Sequence, residues 1–343
     1  MGQNFSNGYT WLDYVYRDAE PQSTFTVDWS VKDFHHRLTT TDGIHLKLHM
    51  VSDEPMNEVA LANGYPPARI ENVNIDHMEY MMVRRSGENG MDSLFTTVIE
   101  PYQHTSYVAK TELVPVELIS GTEGINDRAA AMKVTLTSGR IDYVTYATNP
   151  GCTYRVDDLF DFRGATGVVS YTDGGITYAW GCEATQVADV IEGRLPAVTG
   201  TVTDFTKGLS MDGYTLTVEM DQAILAEELT DRYIYVETDG VENGVYRIYG
   251  AEVNGNTAVL DLKHQTLVRE YVDPFNFDKG YRYNIAEGQA FSIPLSAAYD
   301  IAGYLNYISN TVVKAGSKLT LNVGTGKTSY EAEALAIVCS SNF

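Results

Sequence analysis

The sequence predicts an all-β protein of antiparallel β-sandwich type, jelly-roll or supersandwich-like, with a second, smaller β domain. Three observations carry that expectation: apolar and polar residues alternate with period 2 in short runs, turn dipeptides separate the runs, and helical periodicity is nearly absent. The clearest runs are IHLKLHM (44–50), AMKVTLT (131–137), RIDYVTY (140–146), YTLTVEM (214–220) and RYIYVET (232–238), and each reads as a half-buried strand. Asn-Gly begins at 7, 63, 89, 243 and 254, and Asp-Gly at 42, 173, 212 and 239. Such pairs suit type I′ hairpin turns, which need positive φ at both central residues. Helical turns are expected only around 223–229 (AILAEEL) and 297–307, too few to build a parallel sheet with helical crossovers.

The chain has 343 residues, enough for about two domains at roughly 150 residues each. A boundary is expected at Leu195-Pro196, since Pro196 removes a ladder donor just before the new strand GTVTDF (200–205). The division is then 1–195 for the sandwich, 196–296 for the smaller β domain, and 297–343 as a tail or incomplete module of different texture.

Composition excludes several classes. At 44% hydrophobic and 20% charged, the chain is not of disordered type. Its formal net charge of −22 argues against nucleic acid or an anionic membrane as partner. It has no run of 18 apolar residues, and MGQNFSNGYTW lacks the basic and apolar regions of a signal peptide. The three cysteines, Cys152, Cys182 and Cys339, form neither a disulfide framework nor a metal motif; unpaired core thiols are expected, with a Cys152–Cys182 bridge left open.

GTGKTS (324–329) lacks the first glycine of a phosphate loop, because Leu321 stands there, and a surface turn after KLTLNV is expected. His45 and His49 stand roughly 13 Å apart along a strand, too far to share one ion, so His45, Lys47 and His49 are expected to form a solvated outer row. His35, His36 and Arg37, beside Lys32, make the densest positive patch of the first domain and are candidates to receive a carboxylate or sulfate; Arg84-Arg85 is a second. No cofactor is expected beyond a structural calcium ion, for which Asp157, Asp158 and Asp161, or Asp273, Asn276 and Asp278, supply oxygen ligands. Trp11, Trp29 and Trp180 are candidate carbohydrate contacts, because amphipathic rings stack on sugar faces. Patterns for a hydrolytic triad give no match.

YTWLDYVYRDAEPQSTFTVDW (9–29), IHLKLHMVSD (44–53), EVALANGYPPAR (58–69), YMMVRRSG (80–87) and SLFTTVIEPY (93–102) resemble the C-terminal β-sandwich region of heparinase II/III-like polysaccharide lyases. The likeness continues through 229–262 and 269–296, so it covers roughly residues 5–296. The resemblance implies a place behind a helical toroid in a bacterial enzyme that cleaves uronic-acid-containing polysaccharides by β-elimination. That reaction needs the uronate neutralised, its C5 proton removed and the leaving oxygen protonated. No residue here matches a catalytic position of the family, so the resemblance implies a scaffold or accessory module that is not catalytic alone. Its polysaccharide would be met through the helical domain, and its location would be extracellular or periplasmic. A stand-alone carbohydrate-binding or surface-adhesion sandwich is the alternative.

Overall fold

In the computed structural model, residues 12–33, 37–52, 54, 56–64, 77–88, 91–238, 240 and 243–300 are described, together with strands at 318–323 and 328–333; for these last two and for 13–15 the backbone alone is described. The described chain runs through β1 (Leu12–Asp18), β2 (Phe25–Ser30), β3 (Ile44–Val51), β4 (Glu58–Gly64), β5 (Met78–Arg84), β6 (Thr96–Gln103) and β7 (Val108–Val114). There follow β8 (Val116–Ser120), β9 (Ala129–Leu136), β10 (Ile141–Ala147), β11 (Thr153–Val156), β12 (Phe160–Arg163), β13 (Thr166–Thr172), β14 (Gly175–Cys182), β15 (Gln186–Val187) and β16 (Ile191–Glu192). After them come β17 (Ala197–Phe205), β18 (Tyr214–Met220), the short helix α1 (Ala226–Leu229), β19 (Tyr233–Val236), β20 (Val245–Arg247), β21 (Gly250–Asn254) and β22 (Thr257–Lys263). The last are β23 (Val268–Tyr271), β24 (Tyr281–Tyr283), β25 (Ala290–Pro294), β26 (Ser296–Asp300), β27 (Lys318–Val323) and β28 (Thr328–Glu333). The protein is all-β, with 55% strand against 3% helix among the described residues, in several antiparallel sheets.

Two compact units divide the chain, one of 1–114 with 132–141 and one of 115–131 with 142–343. In the first, β1-β4-β5 and β2-β3-β6 form three-stranded sheets. Its small apolar cluster joins Val51, Val108, Met132 and Val134. In the second, β16-β15-β12-β11-β8 form one sheet and β26, β14, β13 and β10 are neighbours in another. Seven strands in the order β20-β19-β25-β17-β18-β22-β21 form its largest sheet. Alternation is strict there, with β22 exposed and buried at successive residues. Val198, Leu216, Val218, Ile234, Leu260, Leu262 and Ile293 all point into one core, each at 1% exposure or less.

Local chemistry explains several elements. Asp173-Gly174 joins β13 to β14 with φ of +51° and +79°, the positive pair that a type I′ hairpin requires. Asn63-Gly64 instead ends strand β4, where Asn63 pairs with Asp13 and Glu79, so cross-strand pairing overrides the turn preference of that dipeptide. The helical turn expected within 223–229 is present at Ala226–Leu229. The one expected at 297–307 is not a helix over its described part: Ser296–Asp300 is β26, held by pairing Ala297, Ala298 and Tyr299 to Gly181, Trp180 and Ala179 of β14. Its remainder, 301–307, lies outside the described residues. KLTLNV is β27 and Thr328–Glu333 pairs with it as β28, so a strand stands where a phosphate loop needs a helix.

Among the described residues no helix is long and apolar enough to cross a membrane. Cys152 is buried and Cys182 half-buried, and neither is in a disulfide. Cys339 lies outside the described residues.

Candidate functional site

The most developed polar arrangement stands on one face of the β2-β3-β6 sheet. Directly opposed residues of antiparallel strands share a face. Asp28 of β2 opposes Lys47 of β3, which in turn opposes Glu100 of β6; His45 opposes Tyr102. Asp28 is the hub of the open end of this row. Its carboxylate accepts the Tyr102 hydroxyl at 2.6 Å, meets His45 Nδ1 at 3.0 Å and lies 3.6 Å from Lys47 Nζ. The His45 and Tyr102 rings stack at 5.0 Å between centroids, and Lys47 Nζ sits 5.0 Å over the Tyr102 ring.

The other end is closed. Glu100 is fully buried and pairs with His49 Nε2 at 2.8 Å. Its carboxylate also accepts the N–H of Tyr107 at 2.6 Å, the N–H of Val108 at 2.9 Å and the Ser106 hydroxyl at 3.0 Å. Burial pushes the Glu100 carboxyl up, but these donors together hold it below its ordinary value. Burial also pushes Asp28 up, and the bonds from Tyr102 and His45 with the charge of Lys47 outweigh it, so Asp28 too is lowered. The hydrogen bond to Asp28, with burial and the charges of Asp28 and Glu100, pushes Tyr102 up to about 12.

This geometry corrects the outer row expected for His45, Lys47 and His49. His49 is buried, while Leu46 of the other face is 38% exposed and Ile99 is 61% exposed. Met50 of the apolar face is buried too, at 2% exposure, so both faces close at this end of β3, and Glu100 gives His49 the partner that its burial requires. Asp28, Glu100 and Tyr102 were not singled out from the sequence. The signal for Asp28 was present in TFTVDWS, where Thr26, Asp28 and Ser30 alternate with Phe25, Val27 and Trp29.

Of the residues expected to contact carbohydrate, Trp29 is half-buried on the apolar face of this sheet, opposite Leu46. Trp180 is half-buried on β14, opposite Val168 and Ala298. The two rings belong to different units. Arg37 is exposed, and Trp11, His35 and His36 lie outside the described residues. Arg84 pairs with Glu58 at 2.6 Å and Arg85 with Glu54, so both are engaged within the fold.

In the two acidic loops that offer oxygen ligands for calcium, Asp157, Asp161 and Asp273 are engaged within the fold. Asp157 accepts the Tyr143 hydroxyl at 2.7 Å and Asp161 binds Arg155. Asp273 accepts Lys279 Nζ at 2.8 Å and the Phe275 N–H at 2.9 Å. Among the described residues no group of three or more His, Cys, Asp or Glu is placed to hold a metal ion. Comparison with family models, with curated proteins and with solved structures finds no match for the chain.

Proposed function

We propose that this chain is the β-sheet portion of a heparinase II/III-like polysaccharide lyase, acting as a scaffold and sugar-contacting module without lyase activity of its own. The resemblance of 9–29, 44–53, 58–69, 80–87 and 93–102 supports the family, and the 2.6 Å hydrogen bond from the Tyr102 hydroxyl to Asp28 supports the absence of lyase activity. A β-elimination base must take up a proton at C5, and a tyrosine does so only after losing its own. Tyr102 donates to Asp28 and is pushed up to about 12, further from ionisation than an ordinary phenol. The Asp28, His45, Lys47 and Tyr102 face therefore suits hydrogen bonding to hydroxyls rather than proton abstraction. The segments that resemble these lyases also coincide with strands, 44–53 with β3, 80–87 with β5 and 93–102 with β6.

The test is incubation of the chain with alginate and with glycosaminoglycans, following absorbance of unsaturated uronate. No product is expected, and its appearance overturns the reading. The second reading, a stand-alone carbohydrate-binding sandwich, is favoured by the partial exposure of Trp29 and Trp180. It predicts retention on a glycan array that Trp29→Ala or Trp180→Ala abolishes while the circular dichroism spectrum stays unchanged.

A further inference from the structure

The second unit contains a cavity of about 460 Å³ beside β12, β13 and the β15-β16 hairpin. That lies within the roughly 300–1,000 Å³ typical of small-molecule sites. Its walls are built by strand register. Gln186 and Glu192 face one another across β15 and β16, and Arg155 faces Asp161 across β11 and β12. Residues so opposed project on the same face, and all four line the cavity. Asp189, in the turn between β15 and β16, lines it as well.

The aromatic part of the lining is the half-buried Tyr171, backed by the buried Phe160, both packed edge-on against Tyr143 with centroids 5.8 Å and 5.5 Å away. Burial first, then Tyr143 and Asp189, pushes Tyr171 up to about 12, so its hydroxyl is a hydrogen-bond donor at neutral pH.

Charge decides what such a cavity accepts. Its lining carries one guanidinium, Arg155, and three carboxylates, Asp161, Asp189 and Glu192. Arg155 is consumed by Asp161. Among the described residues neither Asp189 nor Glu192 has an ion-pair partner, so two uncompensated negative charges face the space. A uronate carboxylate or a sulfate would be repelled, whereas an ammonium group would be attracted. Gln186 and the Tyr171 hydroxyl supply the polar partners that ring hydroxyls need, and the exposed part of the Tyr171 ring supplies an apolar surface.

We propose that this cavity binds an amino sugar carrying a free ammonium group, seated against Tyr171 with its nitrogen toward Asp189 and Glu192. The site stands independently of lyase membership, since a saccharide titration reads binding and the uronate assay reads elimination.

The full chain is titrated calorimetrically with a glucosamine disaccharide, its N-acetylated form and a uronate disaccharide. Physiological salt limits non-specific attraction to a protein of net charge −22. The free amine is expected to bind at least ten-fold more tightly than the acetylated form, and the uronate not to bind. Asp189→Asn with Glu192→Gln, both at exposed positions, is expected to weaken the free amine at least ten-fold without altering the circular dichroism spectrum. Glu252→Gln, at an exposed residue outside the cavity lining, should leave binding unchanged. Equal binding of the free and acetylated sugars, binding of the uronate, no binding, or an equal loss in Glu252→Gln overturns the proposal.

Discussion

The seven-stranded sheet of residues 197–294 and the three-stranded β2-β3-β6 sheet bury different things for different reasons. The larger sheet sends aliphatic side chains into one core, with Leu216, Ile234, Leu260 and Ile293 at 0% exposure. The smaller sheet buries a glutamate and a histidine, and leaves Leu46 and Ile99 exposed. In the first, loss of apolar surface from water is the driving term and needs no particular partner. In the second, a charge is removed from water, which is tolerated only because Glu100 receives His49, Ser106 and two backbone N–H groups at once. Non-directional burial tolerates small errors of geometry, and a hydrogen-bonded carboxylate does not.

The sharpest way to break this contrast is to damage each region in its own terms. Leu260→Ala in the larger core should lower the unfolding free energy by about 2–5 kcal/mol in urea titration, by lost transfer energy plus the cavity left behind. A loss well below that range would mean that the core is not what holds this sheet. Glu100→Gln should cost about 1–3 kcal/mol, because one oxygen cannot accept all the donors now aimed at the carboxylate. An unchanged urea midpoint would remove the buried network as a stabilising feature.

Acid sharpens the same comparison. A carboxyl held low by folding contributes stability that is fully present above its unfolded value and is lost as pH falls through its folded one. For Glu100 the loss begins near the ordinary glutamate value of 4.5 and proceeds downward. The wild-type urea midpoint should therefore fall on acidification below that point, and Glu100→Gln should flatten that fall. Equal acid slopes in both proteins would contradict the assignment. The smallest effect is expected from Asp28→Asn at the open end of the row. It should bring the Tyr102 titration from about 12 back toward 10, read by carbon NMR of labelled tyrosine rings, with a stability change small beside that of Glu100→Gln.

Legibility in the sequence followed the same division. YTLTVEM was readable as a strand, and the structure has β18 at Tyr214–Met220 with its apolar residues inside. IHLKLHM was readable as a strand too, but the burial of His49 was not. Nothing in 44–50 by itself reports that Glu100 lies on the neighbouring strand at the diagonal to His49. The cavity escaped for a similar reason: Arg155, Tyr171, Gln186 and Glu192 are scattered over some forty residues and meet only through the pairings of β11 with β12 and β15 with β16.

The sequence by itself determined the all-β class, the antiparallel character of the sheets and the position of the most regularly alternating strands, because period 2 and turn chemistry are local properties of the backbone. Only the tertiary structure decided that His49 is buried, that Ser296–Asp300 is a strand and that Asp189 and Glu192 share a cavity with Tyr171. Those outcomes depend on partners far away in the chain, and the free energy of burying a polar group is set by those partners rather than by the group itself.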